Sequence, residues 1–524
     1  PAPPRPPSAR PPPAPGLAFA RCAHAGLACT AAAVGLAPAG RAHAFALALM
    51  ADIARACPTV ASNPAYSSVL DPRHYARLRS AIARTGGAAG IGGGGVYRRD
   101  LAYRRAELPD FIGAMESASV TDLHAWAHSL LRTAGLDAIS VDTTTGGDLI
   151  TSAKVHRIPP VAHPADRSHT LDVAGFSGGT EVFRVVTTVA HDETTLPELD
   201  GQRAADMVIP NAADLTWANI RLDPATLAAA PRELPMVPDA QARAVVWTAL
   251  MDGVALTEID PRHMLAVLAT SWAGECNQSI INRVGMEMSQ RTIPQFIPQS
   301  EQADAYAVMA RAAGSMLAQS EPGSSRALVA ARFVATTSAD EALLRRWASG
   351  EALPEGLGDD SDFRWVVLVN LARRGAIGVA EIDAALERDH TMQGSLKALQ
   401  AKASAPDASA KVWAWDQLVG ESGRSNYELN ALATGFWYAS DRDVLRPYVS
   451  RYFSDVPRLS GRVGEDALAR IAALAYPSKM VEKSTAEQSL VALDRGDLTA
   501  SVRRAIVDAD SQLREALASL AAFG

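Results

Sequence analysis

Two histidines four residues apart are the first place to look for chemistry. His124 and His128 stand in the run His-Ala-Trp-Ala-His, inside a segment of helical period. One turn of helix sets such a pair on the same face, where both can reach a metal ion. A hydrolytic zinc helix also needs a glutamate directly after the first histidine as general base, the H-E-x-x-H pattern. Ala125 stands there instead, and H-E-x-x-H occurs nowhere in the 524 residues. No downstream Glu or His has the spacing of a third ligand. The pair therefore reads as two partly exposed histidines on an amphipathic helix. His156, His163 and His169 fall on an expected strand and loop and read as surface residues. Cys276, in Glu275-Cys276-Asn277 on an expected helix, has no base beside it and reads as a buried structural thiol. Trp413, Trp415, Phe436, Trp437 and Tyr438 make an aromatic-rich stretch that suits packing between helices, a peptide groove being the lesser reading. Asp359-Asp360-Ser361-Asp362 does not match a calcium loop and suits the N-terminus of a helix, where acidic groups are favoured. The residues thus offer no catalytic and no metal-binding group, and substrate-binding residues stay unassigned.

Composition narrows the classes. A net charge of −7 argues against a dominant electrostatic grip on nucleic acid, which needs clustered positive charge. With 48% hydrophobic residues, ample core can form, and the length suggests three or four domains. Abundant alanine and few aromatics favour helices. The cysteines Cys22, Cys29, Cys57 and Cys276 are too few to staple a chain this long, which points to a reducing, cytoplasmic setting.

The elements that must position any site divide the chain. Residues 1–95 are atypical, beginning with a Pro/Ala/Arg tract that lacks the apolar content to pack. Cys22 to Gly40 is uncharged but rich in Ala and Gly, with Pro38 and His24, so no stable membrane span is expected. Ala42-His43-Ala44 resembles a signal-peptidase site, the weaker reading beside a disordered or misassigned start. Residues 96–135 read as two helices, with Phe111, Met115 and Ala118 and then Leu123, Trp126 and Leu130 at helical spacing. Ser119 to Asp122 fits a capping box and Gly135 a C-cap. Residues 136–222 switch to period two. Thr145-Gly146-Gly147-Asp148 and Ser177-Gly178-Gly179-Thr180 mark hairpin turns, and about six short antiparallel strands form a small β-sandwich. Residues 223–524 are helical, with capping boxes at Ser338–Glu341 and Ser484–Glu487 and breaks at Pro322-Gly323, Pro354-Glu355-Gly356 and Gly375. Numerous short helices suggest stacked antiparallel pairs in a HEAT-like array.

Particular blocks then resemble a known family. Asp214-Leu215-Thr216-Trp217-Ala218-Asn219-Ile220-Arg221-Leu222-Asp223 is similar to a segment of the bacterial M1 zinc aminopeptidases, the aminopeptidase N family. So are Trp347 to Trp365, with Leu353-Pro354-Glu355-Gly356-Leu357 and Phe363-Arg364-Trp365, and Asn426 to Phe453, with Gly435-Phe436 and Leu445-Arg446-Pro447-Tyr448. Leu108 to Glu116, followed by Leu123-His124-Ala125-Trp126, resembles the last helices of the family's peptidase domain. The blocks run from about Val96 to the C-terminus, in order. The resemblance implies a mainly α chain: the helical tail of a thermolysin-like peptidase domain, then a small β-sandwich, then the helical C-terminal domain. It implies that intact relatives use zinc to hydrolyse N-terminal residues from peptides. It also implies that this chain lacks the zinc-binding half, needs no zinc of its own and is inactive alone. A separately encoded peptidase half is then a candidate partner, with peptides as ligands. The alternative is a non-catalytic helical module that binds a peptide or protein. Gly113-Ala114-Met115-Glu116-Ser117 is close to the family's exopeptidase motif Gly-Ala-Met-Glu-Asn, but it lacks the asparagine, sits in a helical context and reads as coincidence.

Overall fold

A computed structural model describes residues 107–118, 123–358, 360–421 and 423–524. The expected capping box at Ser119–Asp122 and every reading of residues 1–95 lie outside the described residues. Contacts divide the chain into two units, one running to Leu227 and including Val237–Val246, the other made of Ala228–Met236 and Trp247–Gly524.

The first unit opens with two short helices, α1 (Leu108–Ala118) and α2 (His124–Leu131). Their spacing buries Ile112, Met115, Leu123, Trp126 and Leu130 in one cluster, as the helical period requires. The Leu123 amide donates to Glu116 Oε1 at 2.7 Å, which satisfies a donor at the start of α2. α2 ends at Leu131, capped by Arg132, so Gly135 lies in the loop beyond and is not the cap. Seven strands follow among the described residues: β1 (Ala138–Gly146), β2 (Leu149–Ile158), β3 (His169–Ser177), β4 (Thr180–Val189), β5 (Glu193–Thr195), β6 (Met207–Pro210) and β7 (Asn219–Ile220). They form two small sheets, ordered β5-β2-β1-β7 and β4-β3-β6. The first hairpin turns at Gly147-Asp148 and the second at Gly178-Gly179. Gly178 and Gly179 carry φ of 54° and 76°, the left-handed pair that a two-residue turn needs and that glycine adopts without penalty. The sheets are not wholly antiparallel. β7 lies parallel to β1 through Ala138–Asn219 and Ile139–Ile220, because the chain returns to that edge by a long connection and not by a hairpin.

After β7 the chain is helical: α3 (Pro224–Glu233), α4 (Ala240–Ala255), α5 (Pro261–Ser271), α6 (Gln278–Glu287), a π-helix at Met288–Phe296, α7 (Gln302–Ala318), α8 (Ser325–Thr337), α9 (Glu341–Ser349), α10 (Ser361–Arg373), α11 (Val379–Leu386), α12 (Met392–Ser404), α13 (Ala408–Val419), α14 (Asn426–Phe436), α15 (Pro447–Asp455), α16 (Glu465–Leu474), α17 (Lys483–Leu493) and α18 (Ala500–Phe523). In the second unit alternate helices touch in series: α8 meets α10, α10 meets α12, and so on through α14, α16 and α18. Breaks at Gly323 and Gly375 fall where the sequence places them, both with positive φ. The caps differ. α9 is capped by Asp340, whose carboxylate accepts from the Leu343 amide at 2.9 Å, while the Ser338 hydroxyl accepts from the Asp340 amide. Ser484 already lies inside α17, which starts after Glu482. The full box forms instead at Ser425 and Glu428, at the start of α14.

Candidate functional site

The sequence candidates do not assemble into a metal centre. His124 and His128 sit on α2, both exposed, and His124 Nε2 lies 3.4 Å from Glu116 Oε2. One carboxylate and one imidazole on an open surface leave zinc without a closed or preorganised ligand set, so these residues do not fit a zinc site. Among the described residues no group of three or more His, Cys, Asp or Glu is placed to hold a metal. Gly113–Ser117 lies on α1, where Met115 is core and Glu116 holds Leu123, not on a substrate-facing strand. His156 pairs with Asp142 at 3.1 Å, and His163 is an exposed loop residue. Asp360 caps α10 and pairs with Arg332, so that stretch opens a helix as expected; Asp359 lies outside the described residues. Trp415, Phe436 and Trp437 are core residues, with Trp415 and Phe436 rings 5.0 Å apart.

Two readings are corrected. Cys276 is exposed, not buried, and lies off any helix. Asn277 caps α6 by accepting from the Ser279 and Ile280 amides, so the helix cannot begin before it. His169 is not at the surface: it is wholly buried. It shares the parity of Leu171 and Val173 on β3, both fully buried. Its Nδ1 lies 2.7 Å from Thr216 Oγ1 and its Nε2 3.2 Å from Asp137 Oδ2. Arg167 Nη1 donates to Asp137 Oδ1 at 2.5 Å, and the same guanidinium donates to the Ser129 and Ala134 carbonyls. Burial pushes the Asp137 carboxyl up, but the hydrogen bonds from His169 and Arg167 outweigh it and hold the group below its ordinary value. A hydroxyl, an imidazole and a carboxylate in a row have the order of a nucleophile, base and orienter. Here no reactant can reach them, since Thr216, His169 and Asp137 are at most 2% exposed. The row ties α2, β1, β3 and the Asn211–Trp217 loop together. Nearby, an open recess of about 450 Å³ is lined by Arg157, Asp166, Ser168, His191 and Asp192, in which Arg157 is already paired with Asp192 at 3.0 Å.

The second unit holds a constellation of another kind. Arg373 and Arg374 end α10, Tyr306 lies on α7, Tyr438 and Arg442 follow α14, and Lys479 follows α16. The Lys479 ammonium lies 3.7 Å from the centre of the Tyr438 ring, and the Arg373 guanidinium 5.2 Å from the same ring. Arg373 also lies 5.8 Å from the Tyr306 ring centre, donates to the Thr336 carbonyl at 2.9 Å and to Asn370 Oδ1 at 2.7 Å. Arg442 donates to the Pro294 carbonyl at 3.2 Å and to Gln302 Oε1 at 3.0 Å. The Tyr306 hydroxyl donates to the Ser289 carbonyl at 2.9 Å. Two of these anchors, Ser289 and Pro294, belong to the π-helix: Pro294 has no N–H to return to the Ser289 carbonyl five residues back, and the Pro294 carbonyl lies in the last turn, so both are free to accept from side chains. Burial, then Arg373, then Arg442 push the Lys479 ammonium down to about 7. Burial and its neighbour Arg373 lower Arg374, and burial lowers Arg442. Burial raises the Tyr306 phenol to about 12. Glu482, the acid whose charge acts on Arg442, is engaged by Arg446 Nη1 at 2.6 and 2.7 Å. No local pattern announces this group. Only the Arg373-Arg374 doublet is visible in sequence, and the other members are scattered over the breaks between helices.

The fold and these contacts can now be set beside known proteins. A family model described as the ERAP1-like C-terminal domain matches residues 207–515. The chain belongs to that family. It is 27% identical over 460 residues to aminopeptidase N of Streptomyces lividans, covering 85% of this chain and 54% of that protein. The chain therefore spans about half the length of the curated relative it matches. Among solved structures, that of Legionella pneumophila aminopeptidase A in complex with aspartic acid aligns over 82% of this chain and 55% of that one, at 11% identity and a TM-score of 0.49. The family match and the identity to aminopeptidase N bear out the resemblance to the C-terminal portion of an M1 aminopeptidase.

Proposed function

We propose that this polypeptide is the non-catalytic, C-terminal portion of an aminopeptidase N-like (M1) protein, and that alone it does not hydrolyse peptides. The observation that carries this is the ERAP1-like match over residues 207–515 in a chain whose 524 residues contain no H-E-x-x-H. In this reading residues 96–135 are the helical remnant of a peptidase domain. Residues 136–222 are a β-sandwich and residues 223–524 a HEAT-like helical domain. Zinc belongs to the intact relatives, where it would polarise the scissile carbonyl and activate water. His124 and His128 cannot substitute, since the base position holds Ala125 and both are surface residues. Peptides are the ligands of the whole assembly, and a separately encoded peptidase half is its candidate partner. No described helix is long and apolar enough to cross a membrane; a cytoplasmic location remains part of the proposal.

Purified chain incubated with zinc and an amino-acid anilide should release no aniline above the buffer rate. Turnover at the level of an intact aminopeptidase would overturn this reading. The alternative, a helical module that binds a peptide or protein, is favoured by one observation, the cationic group around Lys479. Affinity capture distinguishes the two: a stoichiometric partner bearing H-E-x-x-H supports the split enzyme.

A further inference from the structure

We propose that Tyr306, Arg373, Tyr438, Arg442 and Lys479 form a binding site for a small, multiply charged oxyanion, of the phosphate or polycarboxylate class. Buried cations ordinarily have an acidic partner, because desolvating an ammonium or guanidinium without one is costly. Arg373, which is buried, and Arg442 and Lys479, which are half-buried, form no ion pair with any described carboxylate, and both guanidinium charges act on Lys479. Glu482 is committed to Arg446.

Lys411 shows what a self-sufficient buried lysine looks like in the same unit. Its Nζ donates to the Ala403 and Phe436 carbonyls at 2.5 and 2.7 Å and caps two helix ends. Arg373 and Arg442 do part of that work too, through the Thr336 and Pro294 carbonyls. Lys479 does none of it: it makes no hydrogen bond to a described residue and rests only on the π-face of Tyr438. A capping role explains two of the cations and leaves Lys479 unexplained. Lys479, Arg442, Tyr306 and Tyr438 each keep partial solvent exposure, so a small solute can reach them. Arg373 is fixed by Asn370 and Arg442 by Gln302, so these guanidiniums are held in place before a ligand arrives, while the Tyr306 hydroxyl, committed to Ser289, only lines the site. Two forked guanidiniums and an ammonium in one neighbourhood suit an anion of more than one charge.

The test uses the full chain and thermal unfolding, in sodium phosphate, sodium citrate and sodium chloride at matched ionic strength. Phosphate, citrate or both should raise the melting temperature by several degrees beyond chloride, and the arm that acts names the ligand class. Titration calorimetry with the same anion should show saturable binding that weakens at least tenfold in Lys479→Met and in Arg442→Gln, while Arg504→Gln, an exposed surface control, keeps it. In anion-free buffer Lys479→Met should melt no lower than the parent, because it removes a repelled charge; a purely structural lysine would melt lower when replaced. No anion-specific shift in either arm, or a shift that survives Lys479→Met, overturns the proposal. This outcome is independent of peptidase activity.

Discussion

Asp137 sits wholly buried between Arg167, His169 and, at 3.6 Å, Arg157. Removing one member of such a set leaves the others charged or unpaired in a low-dielectric interior, which costs far more than the pairing itself contributes. Asp137→Ala should therefore destabilise the chain by about 3–5 kcal/mol. Urea unfolding followed by circular dichroism checks this, and a loss below about 1 kcal/mol, the level of an exposed pair, would mean the network is solvated. Part of the network was readable beforehand. His169 has the same parity as Leu171 and Val173, so the alternation that places those two inward places the histidine inward as well. Residue type misled, because a lone histidine is usually exposed. Asp137 and Thr216 could not be joined to it from sequence, since 32 and 47 residues separate them from His169. Cys276 failed for the opposite reason: the helix expected to bury it starts one residue later, at the Asn277 cap.

Elements were more legible than caps. Hydrophobic period gave α1, α2 and the two long hairpins, and the paired glycines gave both turns, because those signals are local. A cap is decided by which of several adjacent polar residues the tertiary structure leaves at the helix entry. Before α9 the sequence offers Ser338 and Asp340, and Asp340 takes the position. Before α17 it offers Glu482 and Ser484, and Arg446 engages Glu482 there. The outcome is testable by substitution: Asp340→Ala and Ser425→Ala should each cost about 1 kcal/mol, as for any lost side-chain cap. Ser484→Ala should stay within about 0.5 kcal/mol. Equal losses at Ser484 and Ser425 in denaturant melts would show that α17 begins later than described.

At the scale of the whole molecule, the blocks that resemble the aminopeptidase family are those that build the core. Trp347 and Phe363 pack with ring centres 5.4 Å apart, and Phe436 meets Tyr448 at 4.9 Å. Such contacts need particular shapes at particular positions, which is why they are recognisable in sequence, whereas the Lys479 group needs only cations brought together by distant breaks. The chain's response to pH belongs to this scale as well. Lys411 and Lys479 have folded values of about 7 against an ordinary 10.5, so above pH 7 the unfolded chain keeps protons that the folded one has released. Stability should rise with pH across that window and fall away as pH drops through 7. Asp252, raised by burial to about 6 from 3.8, has the reverse slope, its contribution being lost as pH rises through 6. Urea midpoints measured from pH 7 to 10 should climb in the parent and climb less in Lys411→Met; an unaltered slope would show that Lys411 is charged when folded. The π-helix at Met288–Phe296 has a consequence for comparing relatives. It is an α-helix carrying surplus length, and the Ser289 and Pro294 oxygens point where they do only while that surplus is kept. A deletion of one residue would turn everything past it by about 100°, dissolving the cationic group while every member stayed spelled out in the chain. Whether a homologue keeps the site must therefore be judged from the length of that segment as much as from the identities of Tyr306, Arg442 and Lys479.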